Sequence, residues 1–121
     1  MGKMAKNKER EERIYRDIIV DAYDEDERAM GWYSYLEGKI AFPFKARVIK
    51  NIKKSPLQKD EIVSVTGMTG LDEDNGMYVQ IEWNGREFGV PLEQLYPVYS
   101  KGESDKDTIE AIEDWHYWKD S

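Results

Sequence analysis

Six carboxylates crowd one short stretch of this chain: Asp17, Asp21, Asp24, Glu25, Asp26 and Glu27. Asp17, Asp21 and Asp24 follow at four- and three-residue steps, and Glu25 is four from Asp21, so a continuous helix would stack like charges on one face. Each such pair costs a helix roughly 0.2–0.5 kcal/mol. An acidic face is usually solvated surface or compensation of a helix dipole. At this density it also offers hard oxygen donors to a divalent cation such as calcium. A second group, Glu110, Glu113 and Asp114, shares a helical face, and a third, Asp72-Glu73-Asp74, sits in a turn-like segment ending Asn75-Gly76. Two carboxylates about 6 Å apart repel by roughly 0.7 kcal/mol in water and about 3 kcal/mol at an effective dielectric of 20, strain that a bridging cation relieves.

None of these clusters has the EF-hand register. With Asp72 as position one, glycine falls at position five instead of six and Trp83 takes the place of the bidentate Glu at twelve. Starting from Asp24 puts Ala29 and Tyr35 at those two positions. His116, the one histidine, lies among Trp115, Tyr117 and Trp118 and reads as a packed structural residue. No serine or threonine is placed to form a nucleophile and base pair with it, and no phosphate-binding glycine loop occurs. A non-catalytic protein is expected.

The elements that would position these acids can be read from periodicity. From Glu9 to Tyr23, Ile14, Ile18 and Ala22 with Tyr15, Ile19 and Tyr23 beside them repeat every four residues, which predicts an amphipathic helix. A second stripe follows in Ala29, Trp32, Tyr33, Leu36 and Ile40. Asp24 with Glu27 has the form of a helix-starting pair and Gly38 of a helix stop, so the first acidic cluster lies at a helix junction. Beyond Phe44 the period becomes two, most cleanly in Met77, Val79, Ile81 and Trp83. Asn84-Gly85 then signals a tight hairpin into Arg86–Val90. Strands are expected at Phe44–Lys50, Glu61–Met68 and Tyr96–Tyr99, a helical turn at Leu92–Leu95, and a closing helix over Asp105–Lys119 capped by Ser104.

These expectations amount to one α+β domain: a small SH3-like antiparallel β-barrel over 44–99, an N-terminal helical segment over 11–40, and a C-terminal helix over 105–119 packed on it through Trp32, Tyr33, Leu36, Trp115 and Trp118. Residues 1–10 are expected as a disordered basic tail. A chain of 121 residues can bury about two thirds of its unfolded surface, and eight Tyr, four Trp and three Phe must supply much of that area.

Charge narrows the partners. The net charge is −7, but residues 1–16 carry six Lys or Arg against three Glu, leaving 12 basic against 22 acidic residues and a net of −10 for the rest. Such a body repels nucleic acid and anionic membranes and attracts metal cations or a basic protein partner. Lys50, Lys53, Lys54 and Lys59 form a basic patch too small to reverse this. With no cysteine and no apolar run near the about 18 residues of a membrane span, a cytoplasmic protein is the default. Tyr33, Tyr35, Tyr78, Tyr96 and Tyr99 could alternatively line a peptide groove, making the domain an SH3-like interaction module without a metal role.

Specific strings sharpen the choice: VDAYDEDERAMGWYSYLEGKIAFPFKARV at 20–48, SPL at 55–57, VSVTGM at 63–68, VPLEQL at 90–95 and AIEDWHYW at 111–118. Together they resemble the small acidic calcium-binding family first described in cyanobacteria, often called CcbP-like, over nearly the whole chain after about Glu11. The resemblance implies calcium binding by surface carboxylates, for buffering or sequestering the ion. The matching acids are Asp21, Asp24, Glu25, Glu27, Glu37, Glu113 and Asp114, and Asp72, Glu73 and Asp74 correspond to a loop that is acidic in the family. Clusters and resemblance together nominate Asp21, Asp24, Glu25, Glu27, Asp72, Glu73, Asp74, Glu113 and Asp114 as calcium ligands. Sites built from mobile side chains and water would be weak to moderate, in the range of about 10⁻⁵–10⁻³ M.

Overall fold

Alternation and turn chemistry place the strands where the pattern puts them. A computed structural model describes residues 7–53, 55–71 and 76–120. In chain order the elements are α1 (Lys8–Arg13), a π-helical turn (Ile14–Ile18), α2 (Glu25–Lys39), β1 (Phe44–Val48), β2 (Ile62–Leu71), β3 (Met77–Trp83), β4 (Arg86–Pro91), a 3-10 turn (Leu92–Gln94), β5 (Leu95–Val98) and α3 (Lys106–Asp120). Phe44, Ala46 and Val48 of β1 and Met77, Val79 and Ile81 of β3 point inward, as a period of two requires. Asn84 and Gly85 both take positive φ, 51° and 77°, the geometry of a two-residue hairpin matched to strand twist.

All strand pairings are antiparallel, in the order β4-β3-β2-β1-β5. β2 carries two register shifts, between Val65 and Gly67 and between Met68 and Gly70, which bend the long strand around the core. Among the described residues β4 and β5 are the edges, joined through the 3-10 turn, so the expected closure into a barrel is not part of the pairing: the sheet is open. Helix α2 packs on α3, β2 and β3, while α3 covers the 3-10 turn and β5. The seam between α2 and α3 is aromatic, with Trp32 5.1 Å from Trp115 and 5.9 Å from Trp118, ring centre to ring centre. Trp32, Leu36, Ile112 and Leu92 are fully buried in one continuous core. No helix among the described residues is long and apolar enough to cross a membrane.

The helical ends depart from expectation for identifiable reasons. The expected helix through Tyr23 stops at Ile18, and Asp21 turns the chain in the left-handed region at φ 62°. The wider π turn, closed by Ile19 N–H to the Ile14 carbonyl at 3.0 Å, brings Ile14, Ile18 and Ile19 to the core together, a set that one α-helical stripe would spread apart. Tyr15 and Tyr23, expected beside that stripe, are exposed. Gly38 does not stop α2, which runs on to Lys39 before Ile40 turns extended. Asp105, not Ser104, caps α3, its carboxylate accepting from the Thr108 N–H at 2.8 Å. Helix α1 begins at Lys8, within the stretch expected as a tail, and Asn7 caps it by accepting from Arg10 N–H.

Gly31 marks where α2 crosses the π turn, because a Cβ there would run into the carbonyl oxygen of Ile18. Gly31→Ala is therefore expected to destabilise the fold by about 1–3 kcal/mol despite alanine's better helix propensity. At Gly38 a Cβ meets nothing within 4 Å. Gly38→Ala should be neutral or stabilising by up to about 1 kcal/mol. Urea denaturation of the two variants checks the contrast, and equal effects would contradict this crossing.

Candidate functional site

The nominated carboxylates fall into two groups with opposite electrostatic situations. Asp114 lies on the inner face of α3 and is fully buried. Its oxygens accept from Arg10 Nη1 at 2.7 Å, Arg13 Nη2 at 2.6 Å and Nε at 3.0 Å, and the Tyr35 hydroxyl at 2.6 Å. One turn earlier, Glu110 receives Lys39 Nζ and stands 3.5 Å from Arg13 Nη1. Glu113 accepts from the Tyr96 hydroxyl at 2.6 Å and lies 3.5 Å from Arg10 Nη2. The hydrogen bond to Glu113, with burial behind it, pushes the Tyr96 phenol up to about 12, so it stays a neutral donor. Burial, then the bond to Asp114, raises Tyr35 as well. The bond to Asp114 is the largest cause of the raised Arg13 pKa.

This network ties α1, α2, α3 and β5 together through carboxylates whose negative charge is already met by protein cations. A metal at Asp114 would have to displace two guanidiniums. Little in the sequence announces this network: Arg10 falls in the stretch expected as a tail and Arg13 in the first expected helix, and only the opposition of their basic charge to the acidic 110–114 segment hints at pairing.

The junction acids are different. Asp24 caps α2, accepting from Glu27 N–H at 2.8 Å, while Glu27 reaches back to Tyr23 N–H at 2.7 Å. The pair fixes the entry to the helix, and its charges sit well against the positive end of the helix dipole. Each still has a second carboxylate oxygen. Asp21 lies in the turn before, and Glu25 lines a groove of about 230 Å³ between α2 and α3 together with Trp32, Trp115, Trp118 and the basic side chains of Arg28 and Lys119. All four are exposed, and among the described residues none is paired with Lys or Arg. Asp17, by contrast, is bound by Arg16 at 3.1 Å. Asp72, Glu73 and Asp74 lie outside the described residues.

By donor type these side chains suit a hard cation, but among the described residues no three carboxylate or histidine groups converge as a metal cage. His116 is partly buried with its Nε2 shut off from solvent and unpartnered; burial lowers its pKa, against a smaller opposing effect of the Leu92 backbone. That is the setting of a packing residue.

A family model described as "Calcium binding" (Calci_bind_CcbP) matches residues 12–119. The chain belongs to the CcbP calcium-binding family. It is similar to the crystal structure of Anabaena CcbP, with 38% identity over 98% of this chain and 95% of that one and a TM-score of 0.80. It is also similar to a structure described as "Calcium binding protein in the calcium-binding form", again at 38% identity, over 96% and 95% of the two chains, with a TM-score of 0.78. No curated protein sequence matches the chain. For this CcbP-family chain the match takes in the junction acids, Arg13 and the whole AIEDWHYW helix.

Asp114→Asn removes the buried charge that Arg10 and Arg13 face, and loss of one partner from a buried ion pair costs about 3–5 kcal/mol. Thermal and urea unfolding should show a loss of that order; a change below about 1 kcal/mol would contradict the role given to the network. For His116, whose folded pKa is depressed, the contribution to stability is complete above the unfolded value of about 6.5 and is lost as pH falls through the folded one. NMR titration should place the His116 midpoint below 6.5, and a midpoint above it would contradict the buried neutral ring.

Proposed function

We propose that this chain binds calcium without catalysis, using the exposed carboxylates of Asp21, Asp24, Glu25 and Glu27 at the α1–α2 junction together with Asp72, Glu73 and Asp74 from the acidic stretch of sequence between β2 and β3, in a manner unlike an EF-hand. The observation that carries the reading is the division of charge just described: Asp21, Asp24, Glu25 and Glu27 are exposed and, among the described residues, without a Lys or Arg partner, in a chain 38% identical to a protein solved in a calcium-binding form. Glu113 and Asp114, nominated from sequence, take a structural role in this reading, since Arg10, Arg13 and three further side chains already serve the α3 carboxylates.

Calcium prefers six to eight oxygens and tolerates irregular geometry. Donors spread over a helix cap and a turn leave most of that shell to water, which supports weak to moderate affinity and a buffering or sequestering role in the cytoplasm. The alternative of an aromatic peptide groove draws no support from Tyr35 and Tyr96, whose hydroxyls are engaged by Asp114 and Glu113. An SH3-like character of the scaffold is supported by the strand order and by the 3-10 turn between β4 and β5.

Isothermal titration at low salt is expected to give a Kd of about 10⁻⁵–10⁻³ M. Combined Asp21→Asn, Asp24→Asn, Glu25→Gln and Glu27→Gln should weaken it at least tenfold, and Asp24→Asn keeps a capping side chain so that the fold persists. Absence of calcium heat in the unmodified protein would overturn the proposal.

A further inference from the structure

Among the described residues, the large apolar side chains left exposed are Tyr15, Val20, Tyr23, Met30 and Ile62, and all but Ile62 fall between positions 15 and 30. Single exposed apolar residues need no explanation, but a group confined to one short segment at the α1–α2 junction does; of these, Tyr15 packs edge-on against Trp118, which leaves Val20, Tyr23 and Met30. Tyr23 is 85% exposed, Met30 60% and Val20 54%. Their surroundings are mainly acidic, with five carboxylates against Arg28 between positions 20 and 30. Met30 follows Glu27 by three residues on α2 and so shares its outer face, while the Tyr23 backbone is held by the Glu27 carboxylate at 2.7 Å. Asp21 lies between Val20 and Tyr23, and Asp24 and Glu25 come directly after Tyr23.

The geometry points to a docking face for a cationic amphipathic segment of another protein, its apolar side meeting Val20, Tyr23 and Met30 and its Lys or Arg side chains meeting Asp21, Asp24 and Glu25. Charge complementarity selects this occupant. A second copy presenting the same face would bring like charges together, and nucleic acid or an anionic membrane is repelled by the same acids. The α2 cap holds Tyr23 and the first turn in place before binding, which limits the ordering cost of association. Tyr and Met, one rigid and amphipathic and the other adaptable, are residue types enriched at such interfaces. This inference deepens the functional reading by naming a partner class for the same acidic corner, but the apolar contact does not depend on calcium.

The test uses the full chain and fluorescence anisotropy at physiological ionic strength, with two labelled peptides of equal charge: an amphipathic Leu/Lys helix and its counterpart with every Leu replaced by Ser. The Leu/Lys peptide is expected to bind at least tenfold tighter than the Ser counterpart, and Val20→Ser, Tyr23→Ser and Met30→Ser together to remove that advantage. Because these side chains are exposed, the triple variant should keep the parent's thermal midpoint and its calcium titration, which separates failure of the docking face from failure of the calcium reading. Equal binding of the two peptides, or a triple variant that binds the Leu/Lys peptide as the parent does, would overturn the proposal. A parent dimer in sedimentation that the triple variant lacks would overturn it in favour of a self-interface.

Discussion

The carboxylate of Asp114, withdrawn from water on the inner face of α3, holds the helical half of this protein in register. An ionised carboxylate in that position costs several kcal/mol of lost hydration unless its oxygens are met by donors. Here Arg10 and Arg13 come from α1, and the Tyr35 hydroxyl comes from α2. The donors reach Asp114 only if α1 and the π turn lie across α2 and α3. The close approach of Gly31 to Ile18 and the Trp32–Trp115 edge contact belong to the same arrangement. The apolar core supplies most of the driving force, while the charge network specifies which helix faces which. This is a hypothesis about specificity, of the kind for which buried polar groups are best attested.

That arrangement sorts the acids of an unusually acidic body. Those on the α3 face, Glu110, Glu113 and Asp114, are satisfied by Arg, Lys and Tyr side chains. Asp21, Asp24, Glu25 and Glu27 at the α1–α2 turn are exposed, two of them serve as backbone caps, and among the described residues none of the four is paired with Lys or Arg. A cation at Asp114 would compete with Arg10 and Arg13 for the same oxygens, whereas one at the second group meets no Lys or Arg partner among the described residues. Membership of a calcium-binding family and a split of this kind point the same way.

Much of the scaffold was legible because it follows from periodicity. β3 runs over Met77–Trp83 as the alternation requires, and Asn84-Gly85 makes the turn that needs two positive φ angles. The aromatic packing of Trp32 against Trp115 and Trp118 follows from two helical stripes that have no other place to bury their rings. The π turn was not legible, since Ile14, Ile18 and Ile19 fit two neighbouring α-helical stripes equally well until the core chooses among them. Gly38 misled because helix stops are read from glycine, yet the glycine continues a helix when the next residues still hydrogen bond.

The candidate site was legible in residue type and not in role. Spacing brings Glu110, Glu113 and Asp114 to one face, whereas the helical stacking expected for Asp21, Asp24 and Glu25 is broken by the turn through Asp21, and in neither case does spacing carry information about the guanidiniums opposite. Arg10 and Arg13 are about a hundred positions away in sequence from the carboxylate they neutralise. A long-range ion pair leaves no periodic trace, so the two acid groups look alike until the chain is folded.

Backbone amide signals followed in two-dimensional NMR during a calcium titration separate the junction acids proposed as ligands from the α3 network. Saturable shifts are expected at residues 20–28 and around 72–76, with residues 110–117 unmoved. Shifts centred on Glu113 and Asp114, with the junction silent, would contradict that choice of ligands.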